Sequence, residues 1–272
     1  MCFVLLGKQI KKICAHKRKF FVAKDTDTSK KYCNLRTDYK VKNKNTDYWG
    51  GINMDISNQI MDKIKRNRIS TTEIADCMNK TGDIPGVHAL NKGLFRVGKV
   101  FWVYAYNESN WEVHEQIRNV EEGDIVLIET FNCGKRAVFG ELVSKYLLLY
   151  KQVSGIVVRG FMRDVPHLIK ENWPIWLEGE TPIGCFNKKN ESPFDANTME
   201  KRHLTYNNAI AVCDDSGVVI IPSSLHSEEF LKKLDWIEEQ EDIWFDCIDR
   251  LKWDTFDTVC LKKYLNKEKA TS

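Results

Sequence analysis

From residue 55 onward, the apolar positions follow two alternating periods. Ile56, Ile60, Met61 and Ile64 recur at helical spacing and predict an amphipathic helix over 55–66. Ser70 followed by Glu73 is a capping-box pattern: the hydroxyl takes an orphan amide and the carboxylate reaches back, so a second helix is expected over about 71–80. Gly82 and Pro85-Gly86 end it. Residues 97–104 are β-branched and aromatic and read as a strand, 110–119 reads as helix, and 125–128 is a short, fully apolar strand. The cycle then repeats as helix 141–151, strand 155–158, helix 164–171 and strand 175–177. Residues 187–205 are polar and read as an exposed loop. Two apolar runs, 209–213 and 218–222, flank a turn at Asp214-Asp215-Ser216-Gly217 and predict a β-hairpin. Ser224 or Ser227 is placed to cap a long helix through Leu231, Leu234 and Ile237, whose acidic run 238–242 reads as a solvated face. Strands alternating with helices predict an α/β layered domain.

Charge divides the chain differently. Of its 41 Lys+Arg and 38 Asp+Glu, 13 basic and 3 acidic residues fall within 1–45, giving +10 there and −7 in the remainder. Residues 1–50 also lack periodicity. They read either as a basic arm for nucleic acid or an acidic partner, or as a solvated extension. The expected organisation is an extension over 1–50, one domain over 51–265 and a polar tail over 266–272. No apolar run approaches the roughly 20 residues of a membrane span, and Lys8, Lys11 and Lys12 follow the short apolar start in the wrong order for a secretory signal, so a cytoplasmic location is expected. Nine cysteines, an odd number with no CxxC pair, argue against both a zinc ribbon and a disulfide framework.

Candidate chemistry concentrates between residues 139 and 164. Gly140 opens a predicted helix, so the amides of Gly140, Glu141, Leu142 and Val143 are donors at a positive dipole end, suited to a carboxylate or phosphate. The strand before Gly160 delivers Arg163 and Asp164 to its C-terminal edge, where open α/β sheets bind ligands. Arginine clamps carboxylates, and the aspartate can hold a hard cation. The alternative for this pair is a cap or surface salt bridge. The histidines show no HxH or HExxH spacing, and His88, His114, His167, His203 and His226 read as surface or packing residues.

The order of these elements resembles the RraA-like family, which includes 4-hydroxy-4-methyl-2-oxoglutarate aldolases. The landmarks are Thr71-Thr72-Glu73-Ile74-Ala75-Asp76, Glu122-Gly123-Asp124-Ile125-Val126, Gly140-Glu141-Leu142, the run from Gly155 to Asp164, Pro174-Ile175-Trp176, and Asp215-Ser216-Gly217 through Pro222. The resemblance spans roughly residues 70–260 and implies a swivelling β/β/α domain assembled as homotrimers or hexamers. It implies a Mg²⁺ or Mn²⁺ ion on Asp164, Arg163 on the substrate's carboxylate or keto oxygen, the amides from Gly140 to Val143 on a pyruvyl carboxylate, and Glu141 on water at the metal. It also implies a carboxylate from a neighbouring subunit's C-terminal helix, Glu239 or Glu241.

The function so implied is a divalent-metal-dependent aldolase or decarboxylase, a carbon–carbon lyase acting on a small 2-oxo acid such as oxaloacetate through a pyruvate enolate. The alternatives are a non-catalytic regulator that binds an RNA-degrading endonuclease, and an enzyme of the same fold acting on another 2-oxo or sugar acid. The chain departs from the family pattern at Arg159, where an aspartate is usual, and at Tyr206-Asn207-Asn208, where a Pro-Gly-Asp turn is usual. Arg159 has two readings: a contact to an extra acidic group on the substrate, or a structural pair outside the pocket.

Overall fold

The computed structural model describes residues 55–265. The segment 1–50 and the tail 266–272, with the readings made of them, lie outside the described residues. Helix α1, Ile56–Asn67, and helix α2, Thr71–Cys77, come first. Ser70 caps α2 with both arms of the capping box present, and α2 ends at Cys77, three residues short of the expected end. Next are strands β1, His88–Ala89, and β2, Arg96–Tyr106; helix α3, Trp111–Gln116; and strands β3, Ile125–Phe131, and β4, Ala137–Phe139. Helix α4, Glu141–Lys145, passes into a π turn over Tyr146–Tyr150. Strand β5, Gly155–Met162, helix α5, Val165–Lys170, strand β6, Ile175–Glu180, helix α6, Ala196–Tyr206, strands β7, Ile210–Asp214, and β8, Gly217–Ile221, and helix α7, Glu228–Asp249, complete the order. Ser227, not Ser224, caps α7.

The strands lie in the order β1-β6-β5-β3-β2-β7-β8, with β4 pairing β5 beyond the end of β3. β2, β3, β5 and β6 run parallel; β7 and β8 form the expected antiparallel hairpin. Residues 82–89 nearly close this sheet into a barrel. Ile220 N donates to Gly82 O and Ile84 N to Val218 O, while β1, a few residues on, pairs with β6 at the opposite edge.

Period-2 alternation sorts the strand residues into separate apolar layers. Ile125, Leu127, Val157, Trp176, Ala211 and Cys213 fill the barrel interior. Their neighbours Val126, Ile128, Ile156, Val158 and Leu177 pack outward with Val113, Val143, Leu147 and Leu168. On the remaining outer face, Ile210, Val212, Val219 and Ile221 meet Ile60, Ile64, Ile74 and Leu234 of the helices. A strand buried on both faces reads as a continuous apolar run, which is why 125–128 is unbroken.

One expectation is corrected. Residues 187–205 are not simply an exposed loop: they hold α6, capped by Asp195 through Thr198 N, and a segment tied to the barrel. Tyr106 Oη donates to Ser192 O at 2.9 Å, and Phe194 stacks on Tyr104 with centroids 4.3 Å apart. The sequence hides α6 because polar and charged contacts anchor much of it.

Candidate active site

β5 runs past the apolar stretch to Met162, and the next two residues form a turn fastened to β4. Arg163 N donates to Phe139 O at 3.1 Å. Asp164 adopts the left-handed conformation, φ 62°, which a short polar side chain tolerates, and opens α5 with Pro166 in its first turn. Its carboxylate does not cap α5. It crosses to α4, where Oδ2 accepts from Glu141 N at 3.1 Å.

Gly140 makes this crossing possible. What it supplies here is space. A Cβ on Gly140 would lie 2.1 Å from Asp164 Oδ2 and 2.8 Å from Arg163 Cγ. Gly184 does the same from the other side, where a Cβ would come within 2.7 Å of Arg163 Nη1. Two missing side chains thus make the bed in which Arg163 and Asp164 lie. Arg163 Nε is 3.7 Å from Asp164 Oδ2.

The sequence-predicted residues therefore meet: Gly140, Glu141, Arg163 and Asp164 form one group. Glu141's amide, one of those expected to face a carboxylate, is engaged by Asp164. The first bond inside α4 is Ser144 N to Gly140 O, so the amides of Leu142 and Val143 have no intrahelical acceptor. The side chains of those two residues diverge, Leu142 being 80% exposed and Val143 buried in the outer core. The reading of His167 as a surface or packing residue missed a contact at the site: its Nδ1 is 3.5 Å from Glu141 Oε2. The available signal was its position one helical turn after Asp164, on the same face of α5.

The group forms an open shelf, with Arg163 50% and Asp164 43% exposed. A cavity of about 350 Å³ lies elsewhere, walled by Met78, Ile84, Ile220 and Leu225. Among the described residues, no three His, Cys, Asp or Glu side chains gather around a point that could hold a metal. The donors at the shelf are carboxylate oxygens from Asp164 and Glu141. That set suits a hard ion such as Mg²⁺, which binds through one or two carboxylates and keeps several waters.

Arg159 lies apart from the shelf and resolves to its structural reading. Two residues beyond Val157, it takes the interior side of β5 and pairs with Glu129 at 3.0 Å and Glu178 at 3.7 Å. Glu129, only 2% exposed, also accepts from Arg202 Nε of α6 at 2.6 Å and Trp102 Nε1 at 3.0 Å. Burial pushes the Glu178 carboxyl above its ordinary value, Arg159 opposes the shift, and Glu129 adds to it. Glu241 sits beside α2, and burial together with Glu73, Asp76 and Asp242 raises its pKa.

Residues 71–220, more than half of the chain, match the family described as RraA-like, Aldolase/RraA. The chain belongs to the RraA-like family. Gly140, Glu141, Arg163, Asp164 and His167 all lie inside the matched stretch, whereas α7 follows it. Among solved structures, an uncharacterized protein from Pseudomonas syringae pv. tomato matches with a TM-score of 0.59 and 20% identity, over 80% of this chain and 100% of that one. RraAS2 of Streptomyces coelicolor, described as an unusual member of the RNase ES inhibitor RraA protein family, matches with a TM-score of 0.52 and 19% identity, over 72% of this chain and 96% of that one. At these identities the likeness establishes the RraA-like fold. No curated protein matches the sequence.

Proposed function

We propose that this RraA-like protein is a divalent-metal-dependent aldolase or decarboxylase that cleaves a small 2-oxo acid through a pyruvate enolate. The observation that supports this most is the bed at Gly140, where a carboxylate, a guanidinium and the first turn of a helix come together without a side chain between them. Asp164, with Glu141 beside it, would hold Mg²⁺ or Mn²⁺, which when bound supplies Lewis-acid withdrawal of charge from the 2-oxo group. Arg163 binds the substrate's carboxylate or keto oxygen and stabilises the negative charge that develops as the carbon–carbon bond breaks. The amides of Leu142 and Val143 donate to the pyruvyl carboxylate. Glu141, partnered by His167, orients a water that delivers the proton to the enolate carbon.

Leu142, Tyr146, Leu149 and Tyr150 are exposed beside the shelf. A row of exposed apolar side chains next to an open site supports assembly as a homotrimer or hexamer that roofs it. A neighbouring chain's Glu239 or Glu241 would then join the site.

The test is pyruvate release from oxaloacetate and from 4-hydroxy-4-methyl-2-oxoglutarate, with Mg²⁺ or Mn²⁺ and with a chelator. Release should need the metal and fall about 10²–10³-fold in Arg163→Ala, the usual loss when a transition-state donor is removed. No release from either compound, or release indifferent to Arg163, overturns the proposal. The same exposed apolar row favours a second reading, a regulator that binds an RNA-degrading endonuclease. In that case Asp164→Ala leaves partner binding intact.

A further inference from the structure

Helix α2 ends at Cys77, and Asn79 and Lys80 then both take the left-handed conformation, φ 59° and 62°. The chain passes next through Gly82, where a Cβ would stand 2.5 Å from Met78 Cε and 2.9 Å from Ile220 O. This tight turn lays residues 82–84 on β8, and Ile220 N donates to Gly82 O. It leaves a gap bounded by the last turn of α6 and the segment after β8. The gap is the cavity of about 350 Å³, lined by Met78, Ile84, Tyr206, Ile220 and Leu225. None of its walls belongs to the shelf.

Three polar side chains of the lining are already engaged with the backbone. The Thr81 hydroxyl donates to Met78 O at 2.7 Å, the Thr205 hydroxyl to Lys201 O at 2.9 Å and Cys77 Sγ to Lys233 O at 3.3 Å. Burial pushes the Cys77 thiol up to about 12, so it stays neutral. The inner wall is therefore apolar, and the two charges of the lining belong to its solvent side: Asp83 is exposed and Lys233 is 43% exposed. Lys233 pairs with Glu229 one helical turn away at 3.8 Å, an exposed contact of a kind worth little. Among the described residues, the Asp83 carboxylate has neither an ion pair nor a hydrogen bond. One cation and one anion thus border the same apolar cavity.

We propose that this cavity is a binding site for a free apolar α-amino acid. At neutral pH such a molecule carries a carboxylate and an ammonium on one carbon. The carboxylate meets Lys233, the ammonium meets Asp83, and the apolar side chain enters among Met78, Ile84, Ile220 and Leu225. A ligand with only one of the two charges leaves the other bordering residue unanswered. Small-molecule sites combine apolar walls with a few placed polar groups and start at about 300 Å³. At about 30 Å³ for each water-sized group, this cavity holds roughly a dozen non-hydrogen atoms, which suits leucine or phenylalanine. The site does not depend on the lyase proposal above, since it shares no residue with the shelf.

The experiment is calorimetric titration of the full chain with L-phenylalanine and L-leucine. Two analogues of phenylalanine serve as controls: 3-phenylpropanoate, which lacks the ammonium, and 2-phenylethylamine, which lacks the carboxylate. At least one amino acid should bind saturably at a single site, and each analogue should bind about tenfold more weakly or worse, the loss of one charge-assisted hydrogen bond. Lys233→Met should weaken phenylalanine by a similar factor and leave 2-phenylethylamine unchanged; Asp83→Asn should do the same with 3-phenylpropanoate unchanged. Thr205→Trp, which fills the cavity from the exposed end of α6, should abolish binding while the circular dichroism spectrum stays that of the wild type. Leu225→Trp is a second filling variant should the first not fold. The proposal is overturned if neither amino acid binds, if an analogue binds as tightly as phenylalanine, or if binding survives undiminished in both charge variants or in a folded filling variant. Titration needs no turnover, so failure of the lyase proposal leaves the result readable.

Discussion

A single methyl group on residue 140 would claim the place that Asp164 Oδ2 now holds, 2.1 Å away. Gly140→Ala should act through this collision with the carboxylate. Metal-dependent pyruvate release should fall at least as far as in Asp164→Ala, while the circular dichroism spectrum stays that of the wild type; undiminished release would refute the steric account. Glu129 gives the opposite case, a residue far from the shelf that matters for stability. Glu129→Gln removes one charge from a buried centre and leaves Arg159 and Arg202 without their shared partner. Because both arginines reach solvent and Arg159 keeps Glu178, the loss should be that of a charge-assisted hydrogen bond, about 1.5–3 kcal/mol, which urea denaturation would measure. The chain order showed that Arg163 and Asp164 follow a strand, but it could not show that Arg159 meets Glu129. Those two residues are 30 positions apart and become neighbours only through the register of β3 on β5.

At the level of elements, the apolar periods were legible wherever burial decides the structure. The ends of elements were less so. β5 continues through Arg159 and Gly160, which interrupt the apolar run but remain in the sheet, with a register shift against β6 between Val158 and Phe161. The expected helix 141–151 is helical through Tyr150 and changes winding at Tyr146. α6 escaped because Arg202 fastens it through charge to Glu129, a contact no hydrophobic pattern records. The capping box of α2 was legible because its two residues are close in sequence, and its energy can be tested directly. Ser70→Ala removes the acceptor for Glu73 N and should lower unfolding stability by about 1 kcal/mol, read from the denaturant midpoint with the slope unchanged. A neutral outcome would mean that α2 is held by its apolar face alone.

For the whole molecule, the test is whether the shelf binds a cation before any substrate arrives. A ligand that binds only the folded state at a hundredfold excess over its Kd stabilises by about 2.7 kcal/mol. For a folded region of this size, each kcal/mol moves Tm by roughly 2–4 °C. Saturating Mg²⁺ or Mn²⁺ should therefore raise Tm by roughly 5–10 °C, and a chelator should reverse the shift. Asp164→Ala should abolish the response, since Asp164 is the carboxylate proposed to ligate the cation directly, while Glu141 is proposed to hold water at it. Glu129→Gln should lower Tm and keep the response in full, because Glu129 pairs with Arg159 and Arg202, whereas the shelf is built from Gly140, Glu141 and the two residues beyond the end of β5. If both variants kept the metal shift, the cation would bind elsewhere and Asp164 would be only an anchor for α4. If both lost it, the two centres would be one coupled unit, and the barrel interior would belong to the active site.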